Sequence, residues 1–518
     1  MQALAKYVWP QSLNRPSGGF SQGADPTHPV VILALLVFAG ACGVAIPSLG
    51  ILVPAVVGTL ALSMLVLALS PPAIVWLMLV LVLLVVGILT FFANIQQALW
   101  APYLLLLLIA IKYLLEKLHA GSLPTSKTGS LPAFNAISVL IGLFCLFFCL
   151  SALVNKTDLA SVGVAAKNYI FPWFLTLLVA SSIQQADALR GVWKFMLWVV
   201  VIQVPFALVQ HFYFAKLPGA DWDAVSGTFG SVFLRGGGSG TMAIFLVFGI
   251  VLVTALFRKK QISSKVLTGV VLAALTTVAL AEVKIFFLCL PLAMVLLFRS
   301  RILTNPLHAV GGGLLGAALL SLVVFAYQQT YSETLSQTRT VEGLVDYALA
   351  VESDPYAFDR TTREVSRIGA LAMWARYNDA DDHRFYIGHG PAASRDSQTI
   401  GSGVAARKYP FMLQTSTAST MLWDVGLFGY VFFLAILFVA GLSAFRIARQ
   451  SPPFEAAVLD SIGVMLLINL PLTLYNSDLI DSTAAQVLLT FWLGYLLLCK
   501  KSFPVSRQRN PIVPRRSS

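Results

Sequence analysis

The sequence predicts an all-α integral membrane protein of about fourteen spanning helices, in a range of about twelve to fourteen. Three observations carry that expectation. The 518 residues are 58% hydrophobic and only 11% charged, where a soluble domain has roughly a quarter of its residues charged. Apolar runs of spanning length recur from Val30 to Cys499. Lys and Arg gather in alternate connections between those runs, as the positive-inside rule describes.

Helices are expected, in order, over Val30–Ile46, Ile51–Leu69, Ala73–Phe92, Ala98–Leu115, Ala136–Leu153, Tyr169–Ile183, Val192–Phe214, Thr241–Phe257, Val266–Ala281, Ile285–Phe298, Gly311–Tyr327, Ser419–Phe445, Ile462–Leu474 and Ala484–Cys499. The chain then divides into a tail 1–28, spans 1 to 11 over 29–327, a large helical outer loop 328–418, spans 12 to 14 over 419–499 and a basic tail 500–518. Polar residues with Lys6 and Arg15 precede the first run, so the N-terminus is expected to stay uncleaved. Basic residues at Lys112, Arg190, Arg258, Arg299, Arg446 and Lys500 mark one side. With an even helix number, both termini are expected in the cytoplasm.

Other classes fall away on composition. The net charge of +12 lies largely in short loops beside apolar runs, so nucleic acid is not an expected partner. The five cysteines sit inside apolar runs and share no metal or redox spacing. They read as small buried hydrophobes.

The run Val266 to Phe298 contains "ALAEVKIFFL" and is too long for one helix at about 1.5 Å per residue. It reads as two short helices whose outer apex carries Glu282 and Lys284. Ionisable groups at such depth are functional by default. Arg235, in "LRGGGSG" before the helix at Thr241, is a candidate anion ligand, because consecutive glycines let the backbone approach closely.

In the outer loop, "DRTTREVSRIGALAMWARY" has an apolar helical period, with Asp359 as its candidate N-cap. Arg360, Arg363 and Arg367 would then share its other face as a phosphate-binding fork array. Asp379, Asp381, Asp382 and His383 could hold a cation, but a hydrated acidic turn is favoured and no metal is expected. His389 stands in the tight turn "GHGP", as a candidate base.

Four pieces, in order, resemble the O-antigen ligase and polymerase superfamily, many-spanning glycosyltransferases acting on polyprenyl-linked glycans. They are "GTFG" at 227–230, the turn "AEVK", the loop with "IGHGP" and "WDVGLFGYVFFL" opening the next helix. The resemblance covers about residues 190 to 450 and implies a GT-C-like fold in a bacterial inner membrane. It further implies metal-independent, cofactor-free transfer of glycan from undecaprenyl pyrophosphate. Lys284 stands where the family usually has arginine. Thr415 stands near the position where ligases carry a histidine, which leans toward a polymerase that joins lipid-linked repeat units rather than a ligase to lipid A core.

In that reading Glu282, with His389 and Asp424 behind it, takes the acceptor proton. Arg235, Lys284, Arg360, Arg363 and Arg367 hold pyrophosphate. Membrane lipids, a flippase and a chain-length regulator of the same pathway are the implied partners. A polysaccharide exporter or lipid flippase is the competing class. The absence of an evident repeat between the halves counts against it.

Overall fold

The computed structural model describes residues 63–64, 66–121, 135–182, 186–217, 224–233, 237–305, 310–311, 356, 358–359, 363–397 and 401–502. Eleven helices among them are long and apolar enough to cross a membrane, which makes this a multi-pass membrane protein. They are α1 (Pro71–Ala93), α2 (Ala101–Gly121), α3 (Ala136–Val154), α4 (Leu159–Ser181), α5 (Ala186–Phe212), α6 (Ser239–Arg258), α7 (Ser264–Ala281), α8 (Ile285–Thr304), α12 (Thr417–Ala448), α13 (Pro453–Tyr475) and α15 (Thr483–Ser502). Short helices α9 (Arg367–Tyr377), α10 (His383–Ile387), α11 (Val404–Lys408) and α14 (Asp478–Asp481) fill the connections. A two-residue hairpin pairs β1 (Asp396–Ser397) with β2 (Gly401–Ser402).

Each expected span from Ala73 onward has its helix, except Gly311–Tyr327. That one lies almost wholly outside the described residues, as do Val30–Ile46 and most of Ile51–Leu69. Two helices start earlier than expected. Leu159 opens α4 because Asp158 caps it through the Ser161 amide, and Pro172 restarts the helix after a break at Ile170. Pro453 opens α13 although Glu455 and Asp460 dilute its hydropathy, since both carboxylates are paired across the bundle.

Those pairs define one end of the bundle. Glu455 accepts from Arg190 of α5, and Arg299 of α8 reaches Asp460 at 2.8 Å. Nearby helix ends add Arg258 to the Leu297 carbonyl at 2.7 Å and Lys501 to the Ala180 carbonyl at 3.0 Å. Arg190, Arg258, Arg299 and Lys501, from four of the expected basic connections, thus meet neighbouring helix ends here. The turns at 155–158, 282–284 and 476–482 lie at the opposite end, as does the loop 363–416.

α6, α13 and α15 form the interior, with about three quarters of their apolar windows buried. At the opposite end a smaller core gathers Val365, Met373, Trp374, Tyr409, Phe411 and Trp423. Trp374 donates to the Leu422 carbonyl at 3.1 Å, so the loop is fastened to α12 by both area and a satisfied indole. Burying each such ring is worth about 2 kcal/mol.

Candidate functional site

The site begins with a break in α12. Gly426 takes φ 71° and ψ −172°, a region open essentially to glycine, and the helix kinks there. The break strips the Trp423 and Asp424 carbonyls of helical partners. The turn "IGHGP" supplies new ones: His389 N–H donates to the Trp423 oxygen at 2.8 Å and Gly390 N–H to the Asp424 oxygen at 3.2 Å. Ser151 of α3 adds its hydroxyl to the Asp424 oxygen at 2.8 Å, and Asn155 donates to the Gly388 carbonyl at 3.0 Å. A Cβ on Gly388 or Gly426 would collide with the other segment's backbone. Two motifs far apart in sequence are therefore one structural unit.

That unit aims Asp424 into the bundle, where it is fully buried. Its oxygens accept from the Ser394 amide at 2.8 Å and the Tyr169 hydroxyl at 2.9 Å. Next along the loop, Arg395 pairs with Asp481 of α14 at 2.7 Å. With its amide oxygen turned toward Arg395, Asn168 accepts from both terminal nitrogens at 3.2 Å and donates to the Tyr103 hydroxyl at 3.2 Å. Burial pulls Arg395 down, but Asp481, Tyr169 and Asp424 more than offset it and hold the guanidinium above the ordinary arginine value. Lys167 completes the cluster, with its ammonium 4.5 Å from the Trp100 ring centre and 4.9 Å from that of Tyr103.

His389 lies at the edge of this cluster, buried, with its ring against Trp423 at 5.2 Å. Asn378 donates its amide to the Trp374 carbonyl, so its oxygen accepts from His389 Nε2–H at 2.7 Å. Burial, reinforced by Arg384 and Lys408, pushes His389 down to about 4. The imidazole is neutral at pH 7, with Nδ1 as its acceptor.

The other expected residues fall elsewhere. Glu282 and Lys284 do form the apex of the α7–α8 hairpin. Glu282 ends α7 with a left-handed φ of 56°, and His211 Nδ1 bonds the Leu280 carbonyl at 2.9 Å, setting the apex against α5. Burial pulls Lys284 below its ordinary value, partly opposed by Glu282. "GTFG" proves to be an anchor. Thr228 exchanges hydrogen bonds with Gln203 at 2.8 Å each way and donates to the Leu83 carbonyl at 2.6 Å. Leu83 belongs to a π-helical turn of α1, where the regular ladder is interrupted.

The arginine face of the outer loop requires a correction. α9 starts at Arg367 because Ser366, not Asp359, is its cap, accepting from the Gly369 amide at 2.9 Å. Arg363 precedes the helix at φ 63° in a turn closed by the Phe358–Val365 bridge, and it donates to the Pro410, Ala406 and Tyr409 carbonyls. Arg367 instead lies 4.1 Å over the Tyr475 ring. Arg363 and Arg367 thus share no helix face. Arg360 and Arg235 lie outside the described residues.

Asp382 caps α10 through the Arg384 amide and touches His383 at 2.9 Å. Among the described residues, no three potential metal ligands converge.

Sequence reasoning passed over Lys167, Arg395 and Asp481. Lys167 carried little signal, because it lies just before the expected span Tyr169–Ile183. Arg395 and Asp481 carried none, because each is ordinary in a polar turn. No family model and no curated relative matches the chain.

Proposed function

We propose that the protein is a polysaccharide polymerase that moves a glycan from polyprenyl pyrophosphate to a hydroxyl of a lipid-linked repeat unit. The reaction takes place at the end of the bundle opposite its basic connections, outside an inner membrane. One observation carries the reading. "IGHGP" and "WDVG", two of the four motifs behind the family resemblance, are hydrogen-bonded into a single unit at the base of a buried ionic cluster.

In the reaction the C1–O bond to pyrophosphate breaks as the acceptor oxygen bonds C1. Pyrophosphate leaves with the electron pair, and the acceptor proton passes to a base. Fixed cations favour the leaving charge more in the transition state than before it. Lys284 is assigned that role and Glu282 the proton, both on the strength of the resemblance. Neutral His389 is chemically able to accept a proton and stands as the second choice.

The test is reconstitution of the purified full-length protein with lipid-linked repeat units. Longer glycans with wild type and none with Glu282→Gln, at equal protein level, are expected. Transfer to lipid A core alone would make it a ligase, and movement across the bilayer without transfer a transporter.

A further inference from the structure

The basic end of the bundle carries more cations than its own pairs engage. Arg299 and Arg301 of α8 and Asp460 of α13 all lie within electrostatic reach of Arg258, the last residue of α6. Arg258 is held by the Leu297 carbonyl and by the Phe298 ring, whose centre is 4.5 Å from its guanidinium. Arg299 is held by Asp460, by the Leu296 carbonyl at 3.0 Å and by the Phe445 ring of α12. Its contacts therefore fix the end of α8 beside the end of α12. Arg301, Arg446 and Arg449 are exposed at those two ends, and among the described residues no carboxylate pairs with any of them.

Each of the two helices also brings a lipid-facing stripe to these arginines. On α8, exposed Leu288, Leu292 and Val295 lead by three- and four-residue steps to Arg299, and Arg301 follows in the last turn. On α12, exposed Phe438 and Leu442 lead by steps of four to Arg446, and Arg449 stands one turn beyond Phe445. Both spanning helices finish here, so the arginines stand where acyl chains give way to headgroups. Orienting a span in the membrane calls only for a number of basic residues near its end. It does not call for two stripes that converge on a fixed pair of helix ends.

We propose that the ends of α8 and α12 form a binding site for an anionic phospholipid, with Arg301, Arg446 and Arg449 donating to its phosphate and its chains lying along the two apolar stripes. Arg299 is a positioning residue, since its contacts with Asp460 and Phe445 set the spacing of the two helix ends. The site lies at the end away from the proposed chemistry and does not depend on the glycosyl-transfer reading. Guanidinium forks match the paired oxygens of a phosphate, and basic groups beside spanning helices are drawn to anionic headgroups. The adjoining stripes select a phospholipid over a soluble anion, which has no chains to cover them.

The test titrates phosphatidylglycerol, and separately phosphatidylcholine, into the full-length protein in detergent and counts bound lipids by native mass spectrometry. Wild type is expected to bind phosphatidylglycerol saturably and about tenfold or more tightly than phosphatidylcholine. Arg301→Gln combined with Arg446→Gln is expected to remove that preference, at roughly fivefold per arginine, with the lipid-free unfolding midpoint unchanged because both side chains are exposed. Arg407→Gln combined with Lys408→Gln takes the same charge from exposed positions at the opposite end and should leave the preference intact. Wild-type preference in the first double variant overturns the proposal. Equal loss in the second also overturns it, because the attraction would then be one of net charge alone. Inorganic phosphate that competes at the same concentration as the lipid would show a soluble-anion site instead. A changed oligomeric state in the first double variant, with lipid preference unchanged, would make this face a contact between copies of the chain.

Discussion

The two ends of this bundle both bury charge, and they do it by opposite arrangements. At the basic end each of these α13 carboxylates meets an arginine: buried Glu455 has Arg190, which also reaches Asp187 at 3.3 Å, and half-buried Asp460 has Arg299, whose guanidinium also stacks 3.4 Å from the Phe445 ring centre. Those pairs tie α5 and α8 to α13 and leave little donor capacity. At the other end Arg395 pairs with Asp481 and is held further by the nearby Asp424, whose oxygens also accept from a phenol and a backbone amide. Such pairs act as staples between two helices. A buried hydrogen-bonded network instead ties several segments to one another at once.

The sharpest way to break that contrast is to remove one arginine from each end. Arg395→Ala is expected to cost about 3 to 5 kcal/mol, since it leaves Asp481 beside a buried cluster without its partner, and to abolish glycan transfer. Arg190→Ala should cost about 2 to 3 kcal/mol, its side chain being 43% exposed, with transfer per folded molecule unchanged. Thermal unfolding in detergent, read beside the transfer assay, separates the two. Equal loss of transfer in both variants would erase the distinction between staple and site.

Gly426→Ala comes next. It forces a side chain into a glycine-only backbone conformation and against the Gly388 segment, for about 3 kcal/mol. The expected damage is local to the opposite end. Proteolysis within the loop 363–416 should accelerate while the pairs at the basic end persist.

His389 sharpens the contrast through pH. Its native value near 4 lies below the unfolded value near 6.5, so the unfolded chain binds more protons between them. The contribution is full above about pH 6.5 and is lost as pH falls toward 4, by up to about 3 kcal/mol. His389→Gln should flatten unfolding midpoints across that window, and midpoints that keep the wild-type slope would show that another group titrates there.

The smallest effect expected is that of Arg363→Lys. The ammonium keeps the charge but cannot reproduce the fork that reaches three carbonyls of the loop 406–410, at a cost of about 1 to 2 kcal/mol. Glycan transfer should survive, because those carbonyls are loop scaffold. Abolished transfer at normal stability would return Arg363 to the substrate.

Much of the bundle was legible from hydropathy alone, down to the two-helix reading of Val266 to Phe298. Lipid exposure demands long apolar helices, and that requirement is written residue by residue. Helix starts were less legible wherever charge is paired out of sight, as with Glu455 and Asp460 in α13. The loop helix was misread for a related reason. Val365 and Ile368 continue an apolar period across a true boundary, and only the bridge between Phe358 and Val365 shows that Arg363 belongs to a turn.

The site divides in the same way. Glu282, Lys284 and His389 each stood out because a charged or tightly turned residue interrupts an apolar or regular pattern, and such interruptions are visible along a line, whereas Asp424 came only with the resemblance. What tertiary structure alone decided is which of them meet. The kink at Gly426 exposes carbonyls that only a turn with glycines at 388 and 390 can approach. Docking that turn carries Arg395 down to Lys167 and Asp481. A sequence records the cost of burying a charge at one position, but whether a distant residue offsets that cost depends on a distance that exists only in the folded chain.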